Sequence, residues 1–557
     1  MGSVFMIEQS LAKKGHPRGL YVLFATEMWE RFNYYGMRAI LVYFMMDALL
    51  YNKPFASNLY GGYTGLIYLS PLIGGYVADR YWGNRRSIIV GGLVMAVAEL
   101  VLFWCASIYR SAPETSTLLF YTGLGIMIVG NGFFKPNISS MVGQLYPARD
   151  KRLDAAYTIF YMGINIGGML GPFICGLVGN TKDPDDFKWA FLTGAIGMLL
   201  SVITFQYLKD KYVVTHTGQP VGEVPANIQA SGHFMRKSVS IQTIIGFVVL
   251  VAAAMGLLYI HGRMIFDISY LMLAALGVIL YSIFGDKSLT RIETQRVIVI
   301  FVVSFFVIFF WSAFEQAGAS LSFFAAEQTR LNIDMLKFTM PPSWFQSMNS
   351  AFVVIFAPVF AWIWVKLGKR GLEPSSPKKM ALGLLFLALA YVWIAFGVKD
   401  LAPGVKVSMI WLTGMYMLHT FGELSLSPIG LSLVNKLAPL RFASLLMAVW
   451  FMANAAANVL AGKLSALYPP GIKEIGQAKE AGIDLQAILD KSVTPSAETI
   501  TSLNKLEIPY RFSSVLGYQI NNLYDFFMLF VIMAGAASLI LFLLSGWLHR
   551  WMHNDED

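Results

Sequence analysis

Glu27, Glu30, Arg31 and Arg38 fall within one largely apolar segment, with Tyr34 and Tyr35 between them. Steps of three and four residues put all six on one stripe of a helix. A charge near the centre of a bilayer costs at least ~2.5 to 3.5 kcal/mol on the insertion scale, so four on one span require a wet cavity or a paired network. A purely structural ion cluster is the competing reading, but function is the default for ionisable residues inside a membrane. Other apolar segments carry polar residues at the same spacing. Asn131, Lys135 and Ser139 flank Pro136, and Tyr157, Tyr161 and Asn165 repeat the step of four. Further along come Trp311 and Glu315, then Gln346 and Asn349, then His419, Glu423 and Ser427 before Pro428. Together they describe one polar interior supplied by both ends of the chain.

The chemistry of that interior specifies its solute. Arg38 and Lys135 can bind a carboxylate, while Glu423, Asn165 and Asn349 can bind an ammonium group. The complement is a zwitterion. Tyr35, Tyr68, Trp311 and Trp450 add aromatic walls that accept varied side chains without reading them by hydrogen bonds. Gly163, Gly167 and Gly171, at intervals of four, are expected to let helices approach closely. His419 reads as a packing residue, and Cys105 and Cys175 as small apolar filler. Nothing in their spacing suggests a metal site or disulfide framework.

The elements that must position these residues are membrane spans. Of 557 residues, 56% are hydrophobic and 13% charged, too few charges to cover a soluble protein of this size. Apolar runs long enough to cross ~30 Å of hydrocarbon recur along the chain. Spans are expected near 20–49, 56–79, 87–109, 117–146, 154–179 and 187–208. After a polar linker (209–237) they follow near 240–260, 265–285, 295–325, 343–366, 379–398, 407–436, 442–465 and 520–548. That makes fourteen. Met1 to Arg18 is polar and basic with no apolar core, which argues against a cleaved signal peptide. The net charge of +9 could suit nucleic acid, but the cations sit at span borders. Arg80, Arg85, Arg86, Arg149, Lys151 and Arg152 mark alternate loops, as do Lys287, Arg291, Arg296, Lys366, Lys369, Arg370, Lys378, Lys379, Lys436 and Arg441. These loops and both termini, including Lys13, Lys14 and Arg18, are predicted to face the cytoplasm.

Twelve spans divide into sixes around the linker. Gly83-Asn84-Arg85-Arg86 is echoed by Gly368-Lys369-Arg370 after the corresponding span of the second half. A repeated half is typical of alternating-access carriers. The expected architecture is all-α and polytopic: a six-helix bundle over 1–208, a linker with two peripheral helices over 209–294, and a second bundle over 295–557. Residues 466–519 read as a polar outer loop.

At these residues the chain resembles the proton-dependent oligopeptide transporter family of the major facilitator superfamily. Glu27 through Glu30-Arg31 to Tyr34-Tyr35-Gly36 looks like its ExxER signature, and Gly74 through Asp79-Arg80 to Gly83 like its first loop signature. Tyr157 through Phe160-Tyr161 to Asn165 and Gly167, Trp311 through Glu315-Gln316, Phe345 to Asn349, and Gly422-Glu423 through Pro428 agree with it further. The resemblance implies a major facilitator fold with two extra helices, and a symporter that imports di- and tripeptides with protons by alternating access. It implies no cofactor other than the coupling proton, no nucleic-acid partner, a plasma (bacterial inner) membrane location and function as a monomer. In such proteins Arg38 and Lys135 face the peptide carboxylate, and Asn165, Asn349 and Glu423 its amino terminus. Tyr35, Tyr68, Trp311 and Trp450 line side-chain pockets. Glu27, Glu30 and Arg31 take part in proton coupling, and Glu315 exchanges a proton while pairing with Arg38. Two departures stand out. Ser350 follows Asn349 where many members have proline, and Tyr60-Gly61-Gly62 lacks the second-helix histidine of animal members, which leaves proton sensing to carboxylates.

Within transport, the rival is a carrier of nitrate or another small anion or metabolite on the same fold. An ammonium site of Glu423, Asn165 and Asn349 favours peptides. A channel would need one continuous pore with rings of charge or carbonyls. An enzyme would need a nucleophile–base or metal motif, and neither pattern is present.

Overall fold

A computed structural model describes residues 15–147, 150, 152–215, 217–223, 241–399, 401 and 405–553. Lys13, Lys14, Arg149, Lys151 and the linker from 224 to 240 lie outside them. The first six long helices are α1 (Arg18–Asp47), α2 (Lys53–Val77), α3 (Gly83–Ile108), α4 (Pro113–Gln144), α5 (Leu153–Gly179) and α6 (Phe187–Tyr212). A hairpin of α7 (Ile241–Gly262) and α8 (Ile268–Phe284) follows. Next come α9 (Arg291–Phe314), its short continuation α10 (Ser320–Glu327), α11 (Phe345–Gly368), α12 (Ser376–Val398), α13 (Met409–Leu437) and α14 (Ala443–Ser465). Three short helices, α15 (Ile472–Glu480), α16 (Leu485–Leu489) and α17 (Ala497–Lys505), precede α18 (Leu523–Trp551).

The protein is an all-α polytopic membrane protein. Among the described residues ten helical stretches are long and apolar enough to cross a membrane, one of which, Lys53–Ile108, takes in both α2 and α3. With its central charges, α1 is not among them, and α8 falls in a shorter class.

Packing repeats between the halves. In the first, α3 lies against α4 and α6; in the second, α12 lies against α13 and α18. The most extensive contacts between the halves are those of α2 with α14 and of α5 with α11. Small residues set these approaches. A Cβ on Gly61 would come 2.8 Å from the Cα of Gly462, and beside it the Ser57 and Ser465 hydroxyls hydrogen-bond at 3.0 Å. Within the first half, Cβ atoms on Gly167 and Gly171 would run into the carbonyls of Met28 and Phe32 on α1, which bears out the packing reading of those glycines. Side chains at either site would push α1, with its charged stripe, away from α5.

The helix pair α7–α8 packs by α7 on α4 and α2 and by α8 on α14. Much of its surface is exposed, as a lipid-facing pair of almost wholly apolar helices requires.

Residues 466–519 differ from the expected polar loop. Helices α15 to α17 close over a small core of Ala478, Leu485, Ile488, Leu489, Leu503 and Ile508. An antiparallel hairpin of β1 (Ser513–Val515) and β2 (Tyr518–Ile520) completes the insertion. Few apolar residues among many charges suffice here, because the insertion is also pinned to the rim of the helix bundle.

Candidate functional site

The charged stripe of α1 resolves into two groups. Arg31 Nε lies 3.0 Å from Glu27 Oε1 and 2.5 Å from Glu30 Oε2, all three side chains being buried. Asn131 on α4 donates to the other oxygen of Glu30 at 3.3 Å, and the Arg31 guanidinium lies 5.3 Å from the Tyr34 ring centre. Every partner in this first group belongs to the first half. Two turns along, Arg38 instead pairs with Glu315 of the second half at 3.0 Å.

Glu315 stands where the ninth helix breaks. α9 ends at Phe314, a 3₁₀ turn runs over Glu315–Gly318, and α10 resumes at Ser320. The turn leans on α2, since the Tyr60 hydroxyl occupies the space a Cβ on Gly318 would need. Gln316 secures the break by donating to the carbonyls of Ser312 and Ala461, each at 3.0 Å. Non-helical backbone at membrane depth is tolerated where its polar groups are satisfied in this way.

Arg38 and Glu315 line a cavity of about 80 Å³ between the two halves. Tyr35 and Tyr68 contribute walls from the first half, and Trp311, Asn349 and Glu423 from the second. Also on the wall, Glu423 is held from both sides: Asn349 donates to one carboxylate oxygen at 3.0 Å, and the Tyr161 hydroxyl to the other at 3.4 Å. The Asn349 amide also donates to Thr420 at 3.0 Å. Seven of the thirteen sequence-derived residues therefore meet at one cavity: Tyr35, Arg38, Tyr68, Trp311, Glu315, Asn349 and Glu423.

The other six lie around it. Glu27, Glu30 and Arg31 form the buried cluster described above. Lys135 faces the Tyr68 ring with its ammonium 4.4 Å from the centre, and among the described residues no carboxylate oxygen lies within 4.0 Å of it. Asn165 donates to the Tyr161 carbonyl at 2.9 Å and so sits one turn from the hydroxyl that reaches Glu423. Trp450 is buried against Gly430, where it takes the place of a side chain and does not line the cavity.

Phe314, Gln346, Ser350, Tyr416 and His419 line the cavity too. Gln346 ties the halves together, donating to Ala39 O at 3.5 Å and to Ser322 Oγ at 3.2 Å. His419 stacks on Phe314 with ring centres 5.4 Å apart, so its packing role holds even at the cavity wall. Tyr416 and Thr420 carry a signal that sequence reasoning missed, for with Glu423 they extend the polar stripe of α13 by steps of four and three.

At the end of the bundle away from the termini, Lys53 at the start of α2 pairs with Glu327 at 2.8 Å and Glu474 at 3.0 Å. Trp344 stacks on Phe173 at 4.2 Å and donates to its carbonyl at 2.9 Å. The Tyr43 hydroxyl donates to Ser322 O at 3.0 Å. These contacts close the cavity on that side, the terminus-distal side.

A cavity between two repeated six-helix halves, lined by the Arg38–Glu315 pair that joins them and by Glu423, has close counterparts among known proteins. The sequence model of the POT family matches residues 85–479. A peptide transporter of Yersinia enterocolitica, YePEPT, is 34% identical over 463 residues, covering 80% of this chain and 87% of its own. A di-/tripeptide transporter of Lactococcus lactis subsp. cremoris is 32% identical over 472 residues, covering 82% and 90%. The crystal structure of a peptide transporter POT in complex with sulfate superposes with a TM-score of 0.71 at 31% identity over 97% of each chain. Family model, relatives and solved structure agree, and this chain belongs to the POT family, a family of membrane transporters with the major facilitator fold.

Proposed function

We propose that this protein is a proton-coupled symporter that imports di- and tripeptides by alternating access, without a cofactor other than the coupling proton. The observation that carries the reading is the polarity of the cavity. Arg38, paired with Glu315, and Glu423, hydrogen-bonded by Asn349, both line it, and between them they offer a cation and a carboxylate to the two charges of a zwitterion. Aromatic walls of Tyr35, Tyr68 and Trp311 provide contact without fixed hydrogen-bond demands, as a transporter of varied side chains requires. The names of the Yersinia and Lactococcus relatives support the same substrate class.

In this reading Arg38 and Lys135 receive the peptide carboxylate, and Glu423 with Asn349 and Asn165 receives its ammonium group. Trp450 shapes a side-chain pocket from behind the wall. Glu27, Glu30 and Arg31 hold and release the coupling proton, and Glu315 exchanges one when substrate draws Arg38 away from it. The chain works as a monomer in a bacterial inner membrane. It has fourteen spans, both termini in the cytoplasm, and three parts: 1–208, 209–294 and 295–557. The terminus-distal end then faces outward, and the structure corresponds to an outward-closed state.

Carboxyl-amidated peptides test the substrate reading. Lys135→Ala should weaken binding of a free dipeptide far more than that of its amide; equal losses would remove Lys135 from the carboxylate site.

A further inference from the structure

The insertion between α14 and α18 belongs covalently to the second half, yet its polar contacts reach the first. Lys473 of α15 pairs with Asp47 at 3.2 Å and donates to Met46 O at 3.4 Å. Glu474 shares Lys53 with Glu327. Glu507, after α17, accepts from the Asn52 amide at 2.7 Å. Asp47, Asn52 and Lys53 all belong to the corner between α1 and α2.

The insertion cannot simply ride with that corner, because both of its ends are anchored to the second half. At one end Tyr468 is buried between Phe323 and Phe526, at 5.5 and 5.3 Å between ring centres. At the other, Ile520 is buried and the Tyr518 hydroxyl donates to Asp525 O at 3.0 Å. Gly471 shows how closely the parts meet, for a Cβ there would come 2.6 Å from the Glu327 carboxylate and 3.3 Å from the Lys53 ammonium. The Lys53 side chain is only 3% exposed, so salt screens its pairs weakly.

We propose that the 466–519 insertion is a working part of the terminus-distal gate, which must undock from the α1–α2 corner each time that end opens to admit a peptide. Alternating access moves one half against the other around the central site. Contacts of Lys473, Glu474 and Glu507 cross that boundary, so the terminus-distal end cannot open while all three persist. The insertion thus adds a second layer to the closure made inside it by Trp344 and Phe173, and its docking strength sets how readily the empty carrier opens outward. The proposal rests on alternating access with the terminus-distal end as the entry.

Two measurements test it. In Asn52→Cys/Glu507→Cys, a cleavable bis-maleimide should lower uptake of a labelled dipeptide into proteoliposomes at least tenfold, with recovery on cleavage. Undiminished uptake by the cross-linked protein overturns the proposal. The second measurement needs no peptide transport: spin labels at Thr115→Cys, on the exposed first turn of α4, and Thr501→Cys, on α17, report the distance between the first half and the insertion. Two populations, shifting toward the longer distance in Lys473→Gln/Glu474→Gln, are expected. One unchanging distance in both proteins across pH and added dialanine contradicts undocking. If the uncross-linked cysteine pair and the parent both fail to take up dipeptide while the labels still show two distances, it is the peptide reading that fails, and the gate stands.

Discussion

Two charged groups on the same helix make opposite uses of the fold. Glu27, Glu30 and Arg31 find their partners inside the first half, on α1 itself and on Asn131 of α4. Arg38, two turns away, finds its partner across the cavity on Glu315. A carrier that rocks one half against the other leaves the first group intact and can break the second. Glycines at 163, 167 and 171 reinforce the contrast by fixing α1 to α5, while the Glu315 turn stands at a break in its helix. Charges within a half suit the storage of a proton; charges across the halves suit the sensing of which way the carrier is open.

The largest effect expected from this contrast lies in the pair across the cavity. Removing one member leaves the other uncompensated in a low-dielectric site, at ~3 to 5 kcal/mol. Arg38→Gln and Glu315→Gln should each cut dipeptide uptake at least a hundredfold, and the double variant should lose less than the product of the two. Strictly multiplicative losses would mean that the residues do not act as a latch.

Next in size is the cluster within the first half. Glu27→Gln or Glu30→Gln should abolish accumulation of peptide against its gradient while sparing peptide-for-peptide exchange, which needs gates but no net proton movement. Loss of both activities together in a folded, monodisperse variant would erase the distinction between the two groups.

The contrast is sharpened further at the substrate's two ends. Charge-assisted hydrogen bonds are worth ~1.5 to 3 kcal/mol, so Lys135→Ala should weaken binding of free peptides about tenfold or more. Glu423→Gln should do the same for peptides with a free amino group and spare amino-blocked ones. Selective loss of the blocked peptide would count against the ammonium site.

The smallest effect concerns pH at the outer clamp. Burial raises the Glu474 carboxyl, but the Lys53 ammonium and the hydrogen bonds from Lys53 and the Gly471 amide outweigh it and leave the group below its ordinary value. A lowered carboxylate contributes to docking above its undocked value and loses that contribution as pH falls through its docked one. The balance between the two Thr115–Thr501 label distances should therefore owe no shift to this clamp from about pH 8 to about 5, and should move toward the longer distance only below about 4.3, the ordinary glutamate value. A clamp-dependent change centred near neutral pH would contradict this ionic account of the clamp.

Much of this was legible in the sequence, for separable reasons. The α1 stripe is written in local spacing, and the cost of charge in lipid turns that spacing into function. The Arg38–Glu315 contact joins distant parts of the chain, and only the family resemblance pointed to it. Spacing also says which face of a helix a residue occupies but not its depth beside a cavity, so Trp450 falls behind the wall and Tyr416 on it. The fold of 466–519 was hidden because its core residues are sparse among charges. Its stability also draws on Lys53 and Asn52, far away in sequence.

The central claim is proton-driven peptide import, and uptake of a labelled dipeptide into proteoliposomes tests it most directly. The protein should accumulate dipeptide above equilibrium only with an inward proton gradient, with competition by unlabelled di- and tripeptide and none by a single amino acid or nitrate. Gradient-independent uptake, or competition by nitrate in place of tripeptide, would contradict it.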